Sequence, residues 1–99
     1  MDIKISQKDE ATVVFLTGRI DVPGSEMLRK SLFQICETDI KQVVLDFKEV
    51  HSICSSGIGA LILFHEKFTS LKGDIKIVNL NEEINSLFHI IKLDTIFSL

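Results

Sequence analysis

A short segment of the sequence, ICSSGIG at residues 53–59, combines one thiol, two hydroxyls and two glycines. Cysteine and serine are nucleophiles in covalent catalysis, and serine is also a residue to which kinases transfer phosphate. Glycines let the backbone approach a ligand or a neighbouring element closely. The segment is therefore consistent with a catalytic nucleophile, a phosphate-binding loop, a regulatory serine or simply a capped helix start.

The segment lacks a defining residue of each enzyme motif that it partly matches. A Walker-type phosphate loop requires a lysine, and this turn contains none. A cysteine phosphatase loop uses an arginine to hold the substrate phosphate, and Ala60 occupies that position. The G-x-S-x-G elbow of serine hydrolases needs a glycine where Ile53 or Cys54 stands, and no histidine is obviously paired with an acid to serve the serine. We therefore predict no catalytic residue in this chain.

Two interpretations of the serines remain. Ser55 or Ser56 can cap a helix, which is a common role for Ser-Ser-Gly at a helix start, and these residues alone favour that role. The alternative is a regulatory serine, because phosphate adds about −1.5 to −2 charges that the helix dipole tolerates but an acidic docked partner does not. Repulsion of roughly a few kcal/mol between this phosphate and an acidic partner would lower the affinity for that partner about tenfold to several hundredfold.

Hydrophobic periodicity places the segment between a buried strand and a helix. The patterns predict strands near residues 3–6, 11–18, 42–47, 74–78 and 95–99, and helices near residues 21–37, 56–72 and 79–93. The order β-β-α-β-α-β-α-β predicts an α/β fold with a mixed, mostly parallel sheet packed with helices, to which the first hairpin adds an edge. The strand at residues 11–18 is apolar on both sides, so we expect both of its faces to be covered.

Residues that commonly cap helices lie near these predicted helix boundaries. Asp21 and Ser25 are candidate caps of the first helix, Gly73 of the second helix and Asn81 of the third. Sites in open α/β folds gather at the carboxyl ends of parallel strands. The turn that contains Asp21 and the segment at residues 53–59 could therefore share one edge of the sheet.

The composition is that of one small globular domain over residues 1–99, with 45% hydrophobic and 25% charged residues. A net charge of −3 argues against direct contact with nucleic acid. Cys36 and Cys54 are too few for a disulfide framework, and the H-x-x-C pair of His51 and Cys54 lacks the second pair that a zinc site needs. We therefore predict no metal and no cofactor.

The N terminus is polar and lacks an apolar signal core. The longest apolar run, at residues 58–64, is far too short for a membrane span. These features predict a cytoplasmic protein with reduced thiols and without membrane insertion.

Three segments of the chain carry a resemblance to a known family. They are VVFLTGRIDV, which contains the pattern Gly-x-aliphatic-Asp, then VVLDFKEVHSICSSGIGALI, and finally GDIKIVNLNEEINSLFHIIKLDTIF. In this order and spacing they resemble the STAS domain family, meaning the sulfate-transporter and anti-sigma-factor-antagonist domain. Within it, the sequence is most similar to the small stand-alone bacterial antagonists. The resemblance covers essentially the whole chain and implies a single STAS-like domain.

The resemblance implies specific site residues. The family carries a phosphorylatable serine directly after the aspartate of an Asp-Ser-[Ser/Thr]-Gly-aliphatic-Gly motif, and that serine corresponds to Ser55. This sequence has Cys54 where the family has the aspartate. The implied partner-binding residues are Gly18, Asp21, Cys54, Ser55, Ser56, Gly57, Ile58 and Gly59.

The resemblance also implies partners and a regulatory cycle. An unphosphorylated antagonist of this family binds an anti-sigma factor, usually a serine kinase, and so frees a sigma factor for transcription. The kinase phosphorylates the antagonist and releases it, and a metal-dependent serine phosphatase restores the unphosphorylated form.

Two other functions remain open at this point. Cys54 favours a STAS-type interaction subunit that binds constitutively, in a lipid-transporter or stressosome-like assembly, and whose complex would be insensitive to ATP. A small enzyme that uses Cys54 or Ser55 would instead show rapid alkylation of Cys54 with a low apparent pKa.

Overall fold

The strands of the described chain form one mixed sheet, in which they lie side by side in sequence order. The computed structural model describes residues 1–97. The strands are β1 (Asp2–Lys8), β2 (Ala11–Ile20), β3 (Gln42–Ile53) and β4 (Asp74–Val78), and the helices are α1 (Val22–Cys36), α2 (Ser55–Ser70), α3 (Glu82–Ile90) and α4 (Leu93–Phe97). β1 pairs antiparallel with β2, whereas the pairs β2–β3 and β3–β4 are parallel. The predicted α/β fold with a mixed, mostly parallel sheet is confirmed.

The prediction of a final strand at residues 95–99 is wrong for residues 95–97, which the structure describes. Residues 93–97 form the short helix α4, and residues 98–99 lie outside the described part. Leu93 and Phe97 are four positions apart and both are buried, so a helix brings them to one face against the core. The β-branched residues Thr95 and Ile96 suggested a strand, but this packing overrides their intrinsic preference. The observed order is therefore β-β-α-β-α-β-α-α.

The core lies between one face of the sheet and the helices. Alternate residues of β2 and β3 are fully buried there, namely Val14, Leu16, Leu45 and Phe47. Large side chains from three helices are buried against them, namely Leu28, Leu32, Leu61, Phe64 and Phe88. On the opposite face of β2, Val13 and Phe15 are only half-buried. The expectation that both faces of this strand are covered is therefore met on one face only.

The helix caps confirm two predictions and correct two. The Asp21 carboxylate accepts a hydrogen bond from the Gly24 N–H at 2.8 Å, and Asn81 accepts one from the Ile84 N–H at 2.8 Å. Ser25 is not a cap but a buried residue of the first turn of α1. At the end of α2 the left-handed residue is Lys72, with φ of 66°, rather than Gly73.

Gly73 serves α2 in a different way. Its N–H donates to the Phe68 carbonyl at 2.9 Å, which satisfies one of the last free carbonyls of the helix. A Cβ atom at this position would lie 2.4 Å from the Phe68 ring. Close packing against an aromatic side chain therefore requires the glycine.

Within residues 1–97, no helix is both long enough and apolar enough to cross a membrane.

Candidate functional site

The two turns predicted to share an edge of the sheet lie side by side. Ile20 is in register with Ile53 at the ends of the parallel strands β2 and β3. The Cys54 N–H donates to the Ile20 carbonyl at 2.9 Å, which ties the turn after β3 to the turn after β2. Parallel pairing of two strands that each lead into a helix therefore brings α1 and α2 to one edge.

The thiol-bearing residue, not a serine, occupies the cap position of α2. Cys54 has the extended backbone of an N-cap, with φ of −89° and ψ of 172°, but its side chain makes no capping hydrogen bond. Ser55 and Ser56 follow it as the first two residues of the helix. The interpretation of either serine as the cap is therefore wrong, and both hydroxyls are available for other contacts.

The two serine hydroxyls have different environments. Ser56 Oγ donates to Ser25 Oγ at 3.0 Å and lies 3.1 Å from Cys54 Sγ. Ser25 is only 5% exposed, donates to the Asp21 carbonyl at 2.7 Å and lies 3.3 Å from the same sulfur. Ser55 and Ser56 are both exposed residues, but the Ser55 hydroxyl, unlike that of Ser56, has no hydrogen-bond partner among residues 1–97.

The Cys54 thiol is activated by this arrangement. Hydrogen bonds that Ser25 and, with a smaller effect, Ser56 can donate to the thiolate lower the pKa of Cys54 to about 7, and the backbone N–H groups of Gly57 and Ser56 act in the same direction. Burial instead raises the pKa of Cys36, which lies in the core at the end of α1. Cys54 is therefore partly ionised near neutral pH, whereas Cys36 is a thiol.

Three of the predicted site residues, Gly57, Ile58 and Gly18, matter through packing or backbone conformation. A Cβ at Gly57 would lie 2.7 Å from Ile20 and 2.8 Å from Ile53, so this glycine lets α2 approach the strand ends. Ile58 is half-buried and packs against the core. Gly18 has φ of 104°, a conformation that favours glycine, and lies opposite Val50.

Gly59 differs from Gly57 because a Cβ there would meet nothing within 4 Å. It leaves open space on α2 one turn after Ser55. The structure thus brings Asp21, Cys54, Ser55 and Ser56 together at the edge, with Gly57 and Ile58 packed toward the core, while Gly18 lies beside Met1 in β2.

Two features of this region were not predicted as parts of the site. The sequence predicts Ser25 only as a cap, and its contacts with Cys54 and Ser56, 29 and 31 positions away, depend on how α1 packs against α2. A cleft of about 200 Å³ also lies just before the turn, lined by His51, Ser52, Ile53, Glu83, Ile84 and Leu87. The sequence offers no signal for this cleft, because α3 reaches it from a distant part of the chain.

Two of the histidines, His65 and His89, make their contacts away from the cluster of Ser25, Cys54 and Ser56. His65 contacts the Phe97 ring edge-on with 5.1 Å between ring centroids, and His89 Nδ1 lies 2.6 Å from Asp94 Oδ2. In the described part of the chain, no hydrogen bond joins Cys54 to a histidine, and no group of three potential metal ligands is present.

Solved structures share this fold at low sequence identity. An anti-sigma factor antagonist from Mycobacterium paratuberculosis is 22% identical, with a TM-score of 0.87 over 97% of this chain and 81% of that chain. The Bacillus cell fate determinant SpoIIAA in its phosphorylated form is 16% identical, with a TM-score of 0.75 over 90% and 82% of the two chains.

A sulfate transporter family protein from Wolinella succinogenes has the same fold, at 15% identity, with a TM-score of 0.76 over 87% of this chain and 70% of that chain. The fold therefore occurs in an anti-sigma factor antagonist and in a sulfate transporter family protein. The family itself is shown by the sequence: the model of the STAS domain matches residues 2–99, and the chain belongs to the STAS domain family.

Proposed function

We propose that this chain is a cytoplasmic binding module of the anti-sigma-factor-antagonist type that performs no catalysis itself. It binds an anti-sigma serine kinase in its unphosphorylated form and thereby frees a sigma factor for transcription. The kinase phosphorylates Ser55 and releases the module, and a metal-dependent serine phosphatase restores it.

The observation that carries this proposal is the state of the Ser55 hydroxyl. It is exposed in the first turn of α2, and no residue among 1–97 engages it. A kinase needs this access, because the serine oxygen must reach the γ-phosphorus of ATP in line with the leaving group.

A phosphate at Ser55 is compatible with the fold. The first N–H groups and the dipole of α2 favour a negative charge at the helix N terminus. The protein therefore need not refold when it is phosphorylated. The effect falls on a partner that covers this edge, which would face about −1.5 to −2 additional charges.

The surface around Ser55 suits close docking. Asp21 and Val22 are exposed at the start of α1, and Val22 is an apolar side chain that is 69% exposed. The open space at Gly59 lets a partner approach the backbone of α2. We assign Asp21, Cys54, Ser55, Ser56 and Gly59 to the contact surface, with Gly57 and Ile58 supporting it from beneath and Gly18 contributing through its backbone conformation near the end of β2.

The solved relatives support the proposal by analogy. SpoIIAA has been solved in an unphosphorylated and a phosphorylated form, and the unphosphorylated protein is described as an anti-sigma factor antagonist. These descriptions belong to that protein, and only the fold is shared at this identity.

The test uses Ser55→Ala and Ser55→Glu, with Ser86→Ala on the exposed surface of α3 as the matched control. With the serine kinase that co-purifies with the chain and ATP, the wild type and the control should gain one phosphate and lose the complex. Ser55→Ala should keep the complex, and Ser55→Glu should weaken it about tenfold or more. If neither variant changes binding and intact mass shows no phosphate on Ser55, the proposal is wrong.

A constitutive STAS-type subunit of a larger assembly, such as a lipid transporter or a stressosome-like complex, is the second candidate. Cys54 at the position of the family aspartate and the shared fold of the transporter-family protein favour it. It predicts a complex that is unchanged by ATP and by Ser55→Glu, so the same experiment separates the two candidates.

A small enzyme that uses Cys54 is less well supported, although the lowered pKa of Cys54 was the property expected of it. Two serine hydroxyls and the start of a helix are sufficient to lower that pKa, as they do in this structure. An alkylation profile therefore does not separate an enzyme from a binding module. Turnover of a substrate that is abolished by Cys54→Ser would be the required evidence.

A further inference from the structure

We propose that Ser25 is the positioning residue that makes Ser55, rather than its neighbour Ser56, the phosphate acceptor. It does so by holding the Ser56 hydroxyl in a cluster with Cys54 and leaving the Ser55 hydroxyl free. This inference rests on the proposed function and explains how a kinase distinguishes two consecutive serines.

The Ser56 hydroxyl is hydrogen-bonded within the cluster, as a count of the available protons shows. Each hydroxyl has one proton to donate. Ser25 donates its proton to the Asp21 carbonyl at 2.7 Å, so Ser25 Oγ is an acceptor for the Ser56 hydroxyl at 3.0 Å. The Cys54 thiol can then donate to Ser56 Oγ at 3.1 Å, which completes a directed chain of hydrogen bonds.

Ionisation of Cys54 does not release Ser56. A thiolate accepts hydrogen bonds only, so the hydroxyls of Ser25 and Ser56 can both turn their protons toward the sulfur at 3.3 and 3.1 Å. The Asp21 carbonyl keeps a partner in this state, because the Ser25 N–H donates to it at 2.7 Å. The Ser56 hydroxyl is thus engaged with either form of the thiol.

Burial and helix packing hold Ser25 in place as the acceptor of the Ser56 hydroxyl. Ser25 is 5% exposed and belongs to α1, which packs against α2, so the acceptor of Ser56 cannot move away freely. Phosphoryl transfer would form a bond from serine Oγ to the γ-phosphorus of ATP, break the bond from that phosphorus to the departing ADP and pass the hydroxyl proton to a base of the kinase. Ser56 would first have to leave its hydrogen bonds with Ser25 and Cys54, whereas the Ser55 hydroxyl has no hydrogen bond to break with any of residues 1–97.

The first experiment maps phosphate by fragmentation mass spectrometry after incubation with the co-purifying kinase and ATP. We expect phosphate on Ser55 alone in the wild type and in the control Ser31→Ala, which changes a half-buried serine of the same helix. Ser55→Ala should take up little phosphate. The double variant Ser25→Ala/Ser55→Ala should be phosphorylated on Ser56 about tenfold faster than Ser55→Ala, since loss of one hydrogen bond corresponds to about that factor.

The inference is overturned if Ser55→Ala and the double variant are phosphorylated on Ser56 at the same rate, or if neither is phosphorylated. Thermal unfolding of each variant shows whether it is folded at the assay temperature.

The second experiment does not use a kinase. In the folded wild type, side-chain three-bond couplings measured by NMR should show one χ1 rotamer for Ser56 and averaging for Ser55. At a pH well below 7, where Cys54 is a thiol and no thiolate holds the Ser56 hydroxyl, Ser25→Ala should produce averaging at Ser56, and Ser31→Ala should not. Averaging at Ser56 in the wild type would overturn the inference even if Ser55 is phosphorylated. A fixed Ser56 in a protein whose Ser55 takes up no phosphate would instead support the positioning role and contradict the proposed function.

Discussion

At the scale of single residues, the site is defined by hydrogen bonds that join two helices. Ser25 of α1 meets Cys54 and Ser56 from the start of α2, and the three side chains form one cluster with distances of 3.0 to 3.3 Å between their oxygen and sulfur atoms. The same contacts that engage the Ser56 hydroxyl also lower the pKa of Cys54. A substitution at Ser25 should therefore change two properties at once, the rotamer of Ser56 and the reactivity of the thiol.

We expect iodoacetamide to modify Cys54 well before Cys36. The thiolate is the reacting form, so the rate at Cys54 should rise with pH and reach half its maximum near pH 7. Cys36 should react slowly over this range, because it is buried and its pKa is raised. Ser25→Ala should move the midpoint of Cys54 to higher pH, whereas Ser31→Ala should leave it unchanged.

The measurement is the alkylated fraction of each cysteine-containing peptide by mass spectrometry between pH 5 and 10, values chosen to span the usual thiol pKa of about 8.5. Equal profiles at the two cysteines would contradict the hydrogen-bond cluster.

At the scale of secondary-structure elements, the approach of α2 to the strand ends decides where Ser55 lies. Gly57 allows this approach because Ile20 and Ile53 occupy the space that a side chain would need. The hydrogen bond from the Cys54 N–H to the Ile20 carbonyl fixes the turn from the other side. The exposed position of Ser55 is thus a consequence of packing beneath it.

Two glycines of α2 provide a matched pair for testing this packing. Gly57→Ala should destabilise the protein by about 1–3 kcal/mol, because its Cβ would lie 2.7 Å from Ile20 in a well-packed region. Gly59→Ala gains the same helix propensity without a clash, so it should stabilise the protein by about 0.5–1 kcal/mol. Urea unfolding monitored by circular dichroism measures both changes. The packing argument is wrong if the two variants shift the free energy of unfolding in the same direction by similar amounts.

At the scale of the whole molecule, one core joins the sheet to all four helices. Phe47 of β3 and Phe88 of α3 are fully buried and meet edge-on, with 6.2 Å between ring centroids. This contact holds α3 against the sheet, beside the cleft that α3 forms with the end of β3. The cleft and the Ser55 edge therefore depend on the same core.

Phe88→Ala should lower the free energy of unfolding by about 3–5 kcal/mol, since it removes a fully buried ring and leaves a cavity. That loss is a large part of the stability of a small domain, which is about 5–15 kcal/mol in total. Ile90→Ala, two positions away and 75% exposed, should change stability by no more than about 0.5 kcal/mol. Chemical unfolding of both variants measures the difference, and a similar small effect of both would contradict the assignment of Phe88 to the core.

The sequence by itself determined most of the elements and the family. Alternating and helical periods located β1 to β4 and α1 to α3, because the hydrophobic pattern of an element shows which side it buries. The end of β3 was not predicted, since this strand runs to Ile53 rather than to residue 47. The caps at Asp21 and Asn81 were also predictable, since a cap is a contact over only three residues. The STAS motifs named the family and pointed to Ser55.

Only the tertiary structure decided the remainder. The C-terminal TIF residues form a helix because Leu93 and Phe97 pack together on the core, a long-range effect that outweighs local preference. The different environments of Ser55 and Ser56 are not visible in the sequence, where the two are identical neighbours. Their difference arises because α1 packs against α2 and presents Ser25, 31 positions earlier, to one hydroxyl and not to the other.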